Sequence, residues 1–206
     1  MHPVWQAAFL SLAVSAVAVT ISAAIGLPLG VALGMVQFRG KRLVSGLVQT
    51  GMALPPVVVG LMIYLLLSRS GPLGAWGWLF TPRAMILAQV MLDIPVITGI
   101  TMAAAAAVPR ELAEQLRSLG ATRWQVGRAI LSEARAGVVL ALASAFGRSF
   151  SEVGAVWLVG GNIAGQTRVL TTAIVLETSK GDFGLALKLG GLLLGLAFLI
   201  NLIILR

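Results

Sequence analysis

Two charges of opposite sign, Arg148 and Glu152, stand inside a long apolar stretch. Side chains four residues apart share one face of a helix and can pair there. Because a charge that faces lipid is costly, both side chains must face protein or a water-filled path. An ion pair that only fixes helix packing explains the spacing as well, so the sequence leaves both interpretations open.

A third charge, Asp93, lies near the middle of another apolar stretch, two residues before Pro95. A proline inside a helix removes a backbone hydrogen bond and favours a break. Aspartate is a good N-cap residue, and proline suits the first turn of a helix. We therefore predict that Asp93 caps a helix that restarts after Pro95.

Several kinds of catalysis lack their residues in this sequence. There is no cysteine and only one histidine, His2, which excludes disulfides, thiolate metal sites and histidine clusters. The glycine-rich Lys-Ser/Thr loop that binds ATP phosphates is missing, as are a nucleophile-base triad and carboxylates spaced for a metal. We predict that the chain is not an enzyme and holds no metal or cofactor, so that any ATP hydrolysis belongs to another subunit.

The composition is that of a membrane protein. Hydrophobic residues make up 58% of the sequence and charged residues 11%, whereas soluble domains carry about 25% charged residues. The net charge of +8 comes from basic residues scattered in short loops, which indicates membrane topology rather than a nucleic-acid partner. The sequence predicts one all-α integral membrane domain over residues 1–206, surrounded by lipid.

About five apolar stretches reach the roughly 20 residues that a helix needs to cross a bilayer. They run from Val4 to Val36, Leu43 to Leu67, Ala84 to Val108, Ala136 to Leu158, and Ala186 to Leu205. Residues that favour a tilt or a break lie near the end of the first stretch, at Gly26, Pro28, Gly30 and Gly34. Pro55-Pro56 interrupts the second stretch and Pro95 the third. In membranes such breaks face protein or a water-lined path, although a packing kink explains any single proline equally well.

Lysine and arginine are more frequent on one side of the predicted membrane. That side carries Arg39, Lys41, Arg42, Arg110, Arg117, Arg123, Arg128, Arg135 and Arg206. The other side carries Arg69, Arg83, Arg168, Lys180 and Lys188. Because basic loops stay in the cytoplasm, we predict a multi-pass protein of the cell's inner membrane with its N-terminus outside and its C-terminus cytoplasmic.

Residues 110–133, here called the charged segment, separate the third and fourth stretches. Glu114 and Arg117 place opposite charges at helical spacing beside a stripe of leucines. Gly120 interrupts this pattern, and Thr122 followed by Gln125 has the form of a capping box that starts a second helix. The pattern predicts two cytoplasmic helices joined at a glycine, although a solvated loop fits the periodicity as well.

Glu114, Gly120 and Ile130 resemble the cytoplasmic signature of the membrane subunits of binding-protein-dependent ABC importers. That signature reads Glu-Ala-Ala, a glycine six residues after the Glu, and Ile-x-Leu-Pro. This chain departs from it at Ile130-Leu131-Ser132-Glu133, which lacks Leu-Pro. The resemblance implies the type I importer permease fold, with a coupling helix between helices 3 and 4 that docks on the ATPase. The residues that it assigns to ATPase coupling are Glu114, Leu119, Gly120, Ala121, Thr122 and Arg123.

The second half of the chain resembles molybdate and tungstate permeases. The similar runs are Ser149 to Ala155, Val159 to Arg168, Leu170 to Ile174, and Lys180 to Phe183. The doubled glycine before Asn162 is closer to the tungstate branch. The resemblance implies a channel-forming subunit of an oxyanion importer, whose partners are a second permease copy, two ATPase subunits that bind ATP and Mg, and an extracytoplasmic binding protein.

For the pathway itself, we expect Arg148 to line or support an anion route, with Glu152 balancing its charge so that a dianion is not trapped. Asn162, Thr171 and Thr172 complete the expected pathway set. The glycine-rich run before Arg168 offers backbone donors, although a turn leading into a short helix at Thr171 to Thr178 explains it as well.

Two other function classes remain: an ABC permease for sulfate, phosphate or an amino acid, and a membrane scaffold or channel that works without nucleotide.

Overall fold

The computed structural model describes residues 3–204 and is helical almost throughout. The helices are α1 (Pro3–Met35), α2 (Lys41–Met52), α3 (Pro56–Leu67), α4 (Pro82–Ala106), α5 (Arg110–Ser118), α6 (Arg123–Glu133), α7 (Arg135–Ser151), α8 (Gly154–Gly160), α9 (Leu170–Ser179) and α10 (Phe183–Ile204). A single 3-10 turn, Gly74–Trp76, lies between α3 and α4. The described part contains no strand, as predicted. His2, Arg206 and the predicted end of the last stretch at Leu205 lie outside it.

Three helices, α1, α4 and α10, are long and apolar enough to cross a membrane. Two further pairs, α2 with α3 and α6 with α7, pass the same test together but bend by 94° and 78°. Counting each bent pair as one span gives five among the described residues. The prediction of about five transmembrane helices is therefore confirmed only if the bent pairs are counted as spans.

Of the tilt or break expected in the first stretch, the break does not occur, because α1 is one continuous helix with Pro28 inside it. Its glycines serve another purpose. A Cβ atom added to Gly30 would lie 2.6 Å from Cβ of Thr101, and one added to Gly26 would lie 2.9 Å from Cγ2 of Ile97. The absence of side chains at these positions lets the backbone of α1 approach α4 closely, as small residues do in membrane helix pairs.

The two proline sites of the middle stretches behave differently. Pro55-Pro56 does break the second stretch, since α2 ends at Met52 and α3 starts at Pro56. At Pro95, by contrast, α4 continues without interruption. A Cβ atom added to Gly51 of α2 would lie 2.8 Å from Cβ of Pro95. Pro95 is therefore a packing contact for α2.

The fourth predicted stretch, Ala136 to Leu158, is two helices in the structure. α7 ends at Ser151, Glu152 is extended, and the short helix α8 follows. The predicted short helix from Thr171 to Thr178 is confirmed as α9. The interruption of the helix between α7 and α8 brings polar groups beside α4. This buried helix packs against α1, α2, α3, α7 and α8.

Candidate functional site

The charged segment forms the predicted pair of helices, α5 and α6, so the solvated-loop alternative is wrong. The corner between them is made by Gly120, whose φ of +84° lies in the left-handed region that favours glycine. Among the described residues, no atom comes within 4 Å of a Cβ added there. Backbone conformation, and not lack of space, is the reason for glycine at this corner.

The predicted capping box at the start of α6 is confirmed. The backbone N–H of Gln125 donates to Oγ1 of Thr122 over 3.3 Å, and the N–H of Thr122 donates to Oε1 of Gln125 over 2.7 Å. These two bonds satisfy donors that the first turn of a helix leaves without partners. The start of α6 directly after the corner is thereby fixed.

One side of the helix pair is buried against the ends of α1 and α4. Ala113 of α5 and Val126 and Ile130 of α6 pack with Val31 and Ala105. This apolar base is the reason that the segment has one orientation on the bundle. Leu112 and Leu116 of the leucine stripe pack against this base, whereas Leu119 is exposed.

The opposite side of the pair is exposed and partly apolar. Leu119 is 83% exposed and Trp124 is 70% exposed. Glu114, Gly120 and Arg123 are exposed as well. Of the remaining residues that the resemblance assigned to ATPase coupling, Thr122 is exposed and Ala121 packs half-buried on the apolar base. Two large apolar side chains beside a charged rim form a surface suited to another protein.

The missing Leu-Pro does not prevent a turn at the end of α6. The N–H of Ala134 donates to the carbonyl of Ile130 over 2.8 Å, and the N–H of Val138 donates to the carbonyl of Ala134 over 3.0 Å. α6 ends and α7 begins around buried Ala134, with the two helices bent by 78°. The exit of α6 is therefore set by the packing of a small residue.

Arg148 is bound to the backbone at the break between α2 and α3. Its Nη1 donates to the carbonyl of Met52 over 2.7 Å and its Nη2 to that of Leu54 over 3.2 Å. In a continuous helix the N–H of residue 56 would bond Met52, but Pro56 has no N–H. The guanidinium thus stabilises a break that lies more than ninety residues away along the chain.

Glu152 does not pair with Arg148, so the alternative of an intrahelical ion pair is wrong. α7 ends one residue before Glu152, which removes the four-residue helical spacing. Oε1 of Glu152 instead accepts from the N–H of Ala155 over 3.1 Å, at the start of α8. Among the described residues the one ion pair joins Lys180 and Glu177.

Asp93 does not cap a helix, because α4 has no break to cap. Its Oδ2 accepts from Oγ of Ser149 over 2.6 Å. The carbonyl of Ser149 accepts from Nε2 of Gln89 over 2.9 Å. Oδ1 of Asp93 and Oε1 of Gln89 are buried and have no partner in the described structure. These polar contacts tie α4 to α7 inside the helix bundle.

A cavity of about 10 Å³ lies beside this contact, which is close to the smallest space that holds one water. Its polar lining is made of Ser11, Ser15, Gln89, Ser149, Glu152 and Thr171. Oγ1 of Thr171 donates to the carbonyl of Glu152 over 2.9 Å. The structure thus brings Arg148, Glu152 and Thr171 to the same end of α7.

The other two expected pathway residues lie elsewhere. Asn162, with a φ of +50°, accepts on Oδ1 from Nε of Arg168 over 3.2 Å. Oγ1 of Thr167 accepts from the N–H of Ile163 over 3.0 Å, so this glycine-rich loop already uses donors of its own. Buried Thr172 caps α9 through the N–H of Val169 over 3.1 Å. Neither Asn162 nor Thr172 lines the small cavity.

Sequence reasoning missed Gln89, Ser149 and the carbonyls of Met52 and Leu54. One signal was available, since Gln89 and Asp93 are two polar residues four apart in an apolar stretch and share a helix face. The carbonyls carry no signal of their own. Only Pro56 shows that the Met52 carbonyl lacks its helical partner.

Three curated relatives are similar along most of their length. A probable anion ABC transporter permease of Haloferax volcanii is 46% identical over 93% of this chain and 84% of the relative. The tungstate uptake permease TupB of Peptoclostridium acidaminophilum is 43% identical over 98% and 88%. The molybdenum transport permease ModB of Escherichia coli K12 is 33% identical over 89% and 85%.

The fold also matches a solved structure, an inward-facing form of the MetNI methionine ABC transporter. The TM-score is 0.73 at 22% identity, and the match covers all of this chain and 98% of the other. This likeness confirms the expected type I importer permease fold. The model of the binding-protein-dependent transport system inner membrane component family matches residues 26–206. The chain belongs to this family, as its resemblance to importer permeases implied.

Proposed function

We propose that this chain is the channel-forming subunit of an ATP-driven importer that carries an oxyanion, tungstate in the first place, across the inner membrane. The observation that carries the proposal is the α5–α6 pair, whose base is buried on α1 and α4 while Leu119 and Trp124 are exposed at its tip. Such a projection can receive motion from a soluble subunit and pass it to the spanning helices.

In this proposal the energy comes from two ATPase subunits, which bind ATP and Mg, and the permease itself hydrolyses nothing. Glu114, Leu119, Gly120, Ala121, Thr122 and Arg123 form the contact with the ATPase. A second copy of the chain completes the channel, and an extracytoplasmic binding protein delivers the anion. The N-terminus lies outside and the charged segment in the cytoplasm, as the lysine and arginine distribution supports.

The ATPase contact is tested with Glu114→Lys and Gly120→Pro. The first reverses an exposed charge, and the second forces φ towards −65° where the corner requires +84°. We expect both variants to lose ATPase co-purification and uptake. Gly127→Ala is the matched control, because its Cβ would meet no atom within 4 Å in α6. Normal uptake by both variants would contradict the assignment.

For the pathway, we propose that Arg148 serves the anion while Glu152 and Thr171 complete the polar end of α7. The guanidinium has five N–H donors. One on Nη1 bonds the carbonyl of Met52, and one on Nη2 bonds the carbonyl of Leu54. In this proposal the remaining donors bind the oxyanion. Arg148→Gln should abolish uptake while the purified complex keeps its ATPase. If the assembled variant transported at the normal rate, Arg148 would have a packing role only.

The cargo assignment rests on similarity. The permease named for tungstate is 43% identical to this chain and that named for molybdenum 33%, which favours tungstate and makes molybdate the second candidate. Uptake of each anion into vesicles that hold the complex and its binding protein separates the two. Uptake of sulfate, phosphate or an amino acid with neither metal oxyanion would contradict the proposal. Flux without ATP would instead indicate a channel.

A further inference from the structure

A second and larger cavity, of about 220 Å³, lies where the charged segment meets the ends of α1 and α4. Three cationic side chains line it, Lys41, Arg110 and Arg117, together with one anionic side chain, Glu114. Of the described residues only Lys180 and Glu177 form an ion pair. The lining therefore carries a net charge of +2, three cations less one anion, and none of its cations forms an ion pair in the described structure.

The position of this cavity along the helices indicates which ligands reach it. α1 has 33 residues, so it is about 50 Å long, whereas the hydrocarbon core of a bilayer is about 30 Å thick. The last turn of α1 contributes Gly34 and Met35 to the wall, and the end of α4 contributes Ala105 and Ala106. Because α1 is longer than the hydrocarbon core, we expect these helix ends to lie at the level of the lipid headgroups.

The chemistry of the lining favours a phosphate group. Arginine binds phosphate oxygens through paired N–H donors, and lysine adds a point charge. Arg110 and Arg117 are exposed, so their side chains can close over a ligand. Half-buried Lys41 donates from Nζ to the carbonyl of Gly34 over 3.3 Å, which holds its ammonium group in the wall.

We infer that this cavity binds a phosphate group, supplied by the headgroup of an acidic phospholipid of the adjoining leaflet. Basic pockets between spanning helices bind such headgroups. The lipid would sit between the charged segment and the spans, beside Glu114 and against the apolar wall of α1 and α4. The inference does not depend on which anion the chain transports.

The test uses the full chain in detergent and native mass spectrometry with added phosphatidylglycerol or phosphatidylcholine. We expect retention of phosphatidylglycerol over phosphatidylcholine. Arg110→Gln with Arg117→Gln should weaken that retention about 25-fold, or about fivefold for each cation removed. Both side chains are exposed, so folding is preserved. Arg128→Gln, an exposed residue of the same segment that does not line the cavity, is the matched control and should retain the lipid normally.

A second arm separates the sources of phosphate. Inorganic phosphate at millimolar concentration should leave phosphatidylglycerol bound if the acyl chains contribute to binding. Inorganic phosphate could instead displace phosphatidylglycerol, with binding weakened to the same extent in the double variant. That result would support a phosphate site in this cavity but identify free phosphate, and not the lipid, as its ligand. Equal retention of phosphatidylglycerol by the wild type, the double variant and Arg128→Gln would overturn the inference.

Discussion

Residues near the end of α7 bind backbone and side-chain groups of other segments, and each bond supplies a partner that the bonded group does not find in its own segment. Arg148 bonds the carbonyls at the α2–α3 break, and Ser149 bonds Asp93 of α4. Inside a membrane no water is available to form hydrogen bonds with such groups. These two neighbouring residues therefore position α7 against two separate helices.

Removal of the Ser149 hydroxyl should destabilise the bundle. Ser149→Ala leaves Asp93, which is fully buried, without its hydrogen-bond donor, at a cost of about 1–2 kcal/mol. Thermal unfolding in detergent should show a lower midpoint. Ser151→Ala is the matched control, since the exposed Ser151 hydroxyl bonds only carbonyls of its own helix. Equal midpoints for both variants would contradict a structural role for the Ser149–Asp93 bond.

At the scale of helices, close packing of α1 on α4 depends on missing side chains. Gly30→Ala adds a Cβ only 2.6 Å from Thr101, so we expect overpacking of about 1–3 kcal/mol. Gly46→Ala in α2 meets no atom of the described residues within 4 Å and should stabilise the fold by about 0.5–1 kcal/mol through helix propensity. The two alanine substitutions should shift the unfolding midpoint in opposite directions. A shift of the same sign and size would contradict the close approach.

The capping box of α6 gives a local prediction. Thr122→Ala removes the acceptor for the N–H of Gln125, which should cost about 1 kcal/mol of helix stability. Hydrogen exchange should become about fivefold faster in the first turn of α6 only, where the opening free energy falls by that amount. Thr178→Ala is the control, because its hydroxyl bonds a carbonyl of its own helix. Unchanged exchange at Gln125 would mean that the box does not hold the turn.

The sequence could predict what depends on local pattern. The capping box, the glycine corner at Gly120 and the break at Pro55-Pro56 all follow from residue types at fixed spacing, and each is present. Three expectations are not met for one shared reason. They are a break of α1, which the sequence offered beside a tilt, the cap by Asp93, and the Arg148–Glu152 ion pair, which was one of two open interpretations. Glycine, proline and charge have the same sequence signature whether they bend their own helix or contact another. Which of the two occurs is decided by the neighbouring helix, and that is a matter of tertiary packing.

At the scale of the whole molecule, the proposed orientation can be measured directly because the chain has no cysteine. Ser70 and Ser118 are both exposed and lie on opposite sides of the predicted topology, Ser70 in the loop after α3 and Ser118 at the last residue of α5. An impermeant maleimide added to intact cells should label Ser70→Cys and spare Ser118→Cys. Both variants should react after the cells are opened, which serves as the control. Labelling of Ser118→Cys but not of Ser70→Cys in intact cells would show that the chain has the opposite orientation.

The close contact between α1 and α4 also has a mechanical consequence. Both helices are continuous, they interlock along the glycine face, and the charged segment rests on their ends at Val31 and Ala105. Because these two helices pack closely along their length, we expect them to move together as one rigid body. A displacement of the tip of the charged segment would therefore move α1 and α4 together. The conformational change would be largest where helices are interrupted, at the α2–α3 bend and the α7–α8 junction. Arg148 bonds the carbonyls at the α2–α3 break and lies three residues before the end of α7, so it connects the two interruptions at which we expect the conformational change.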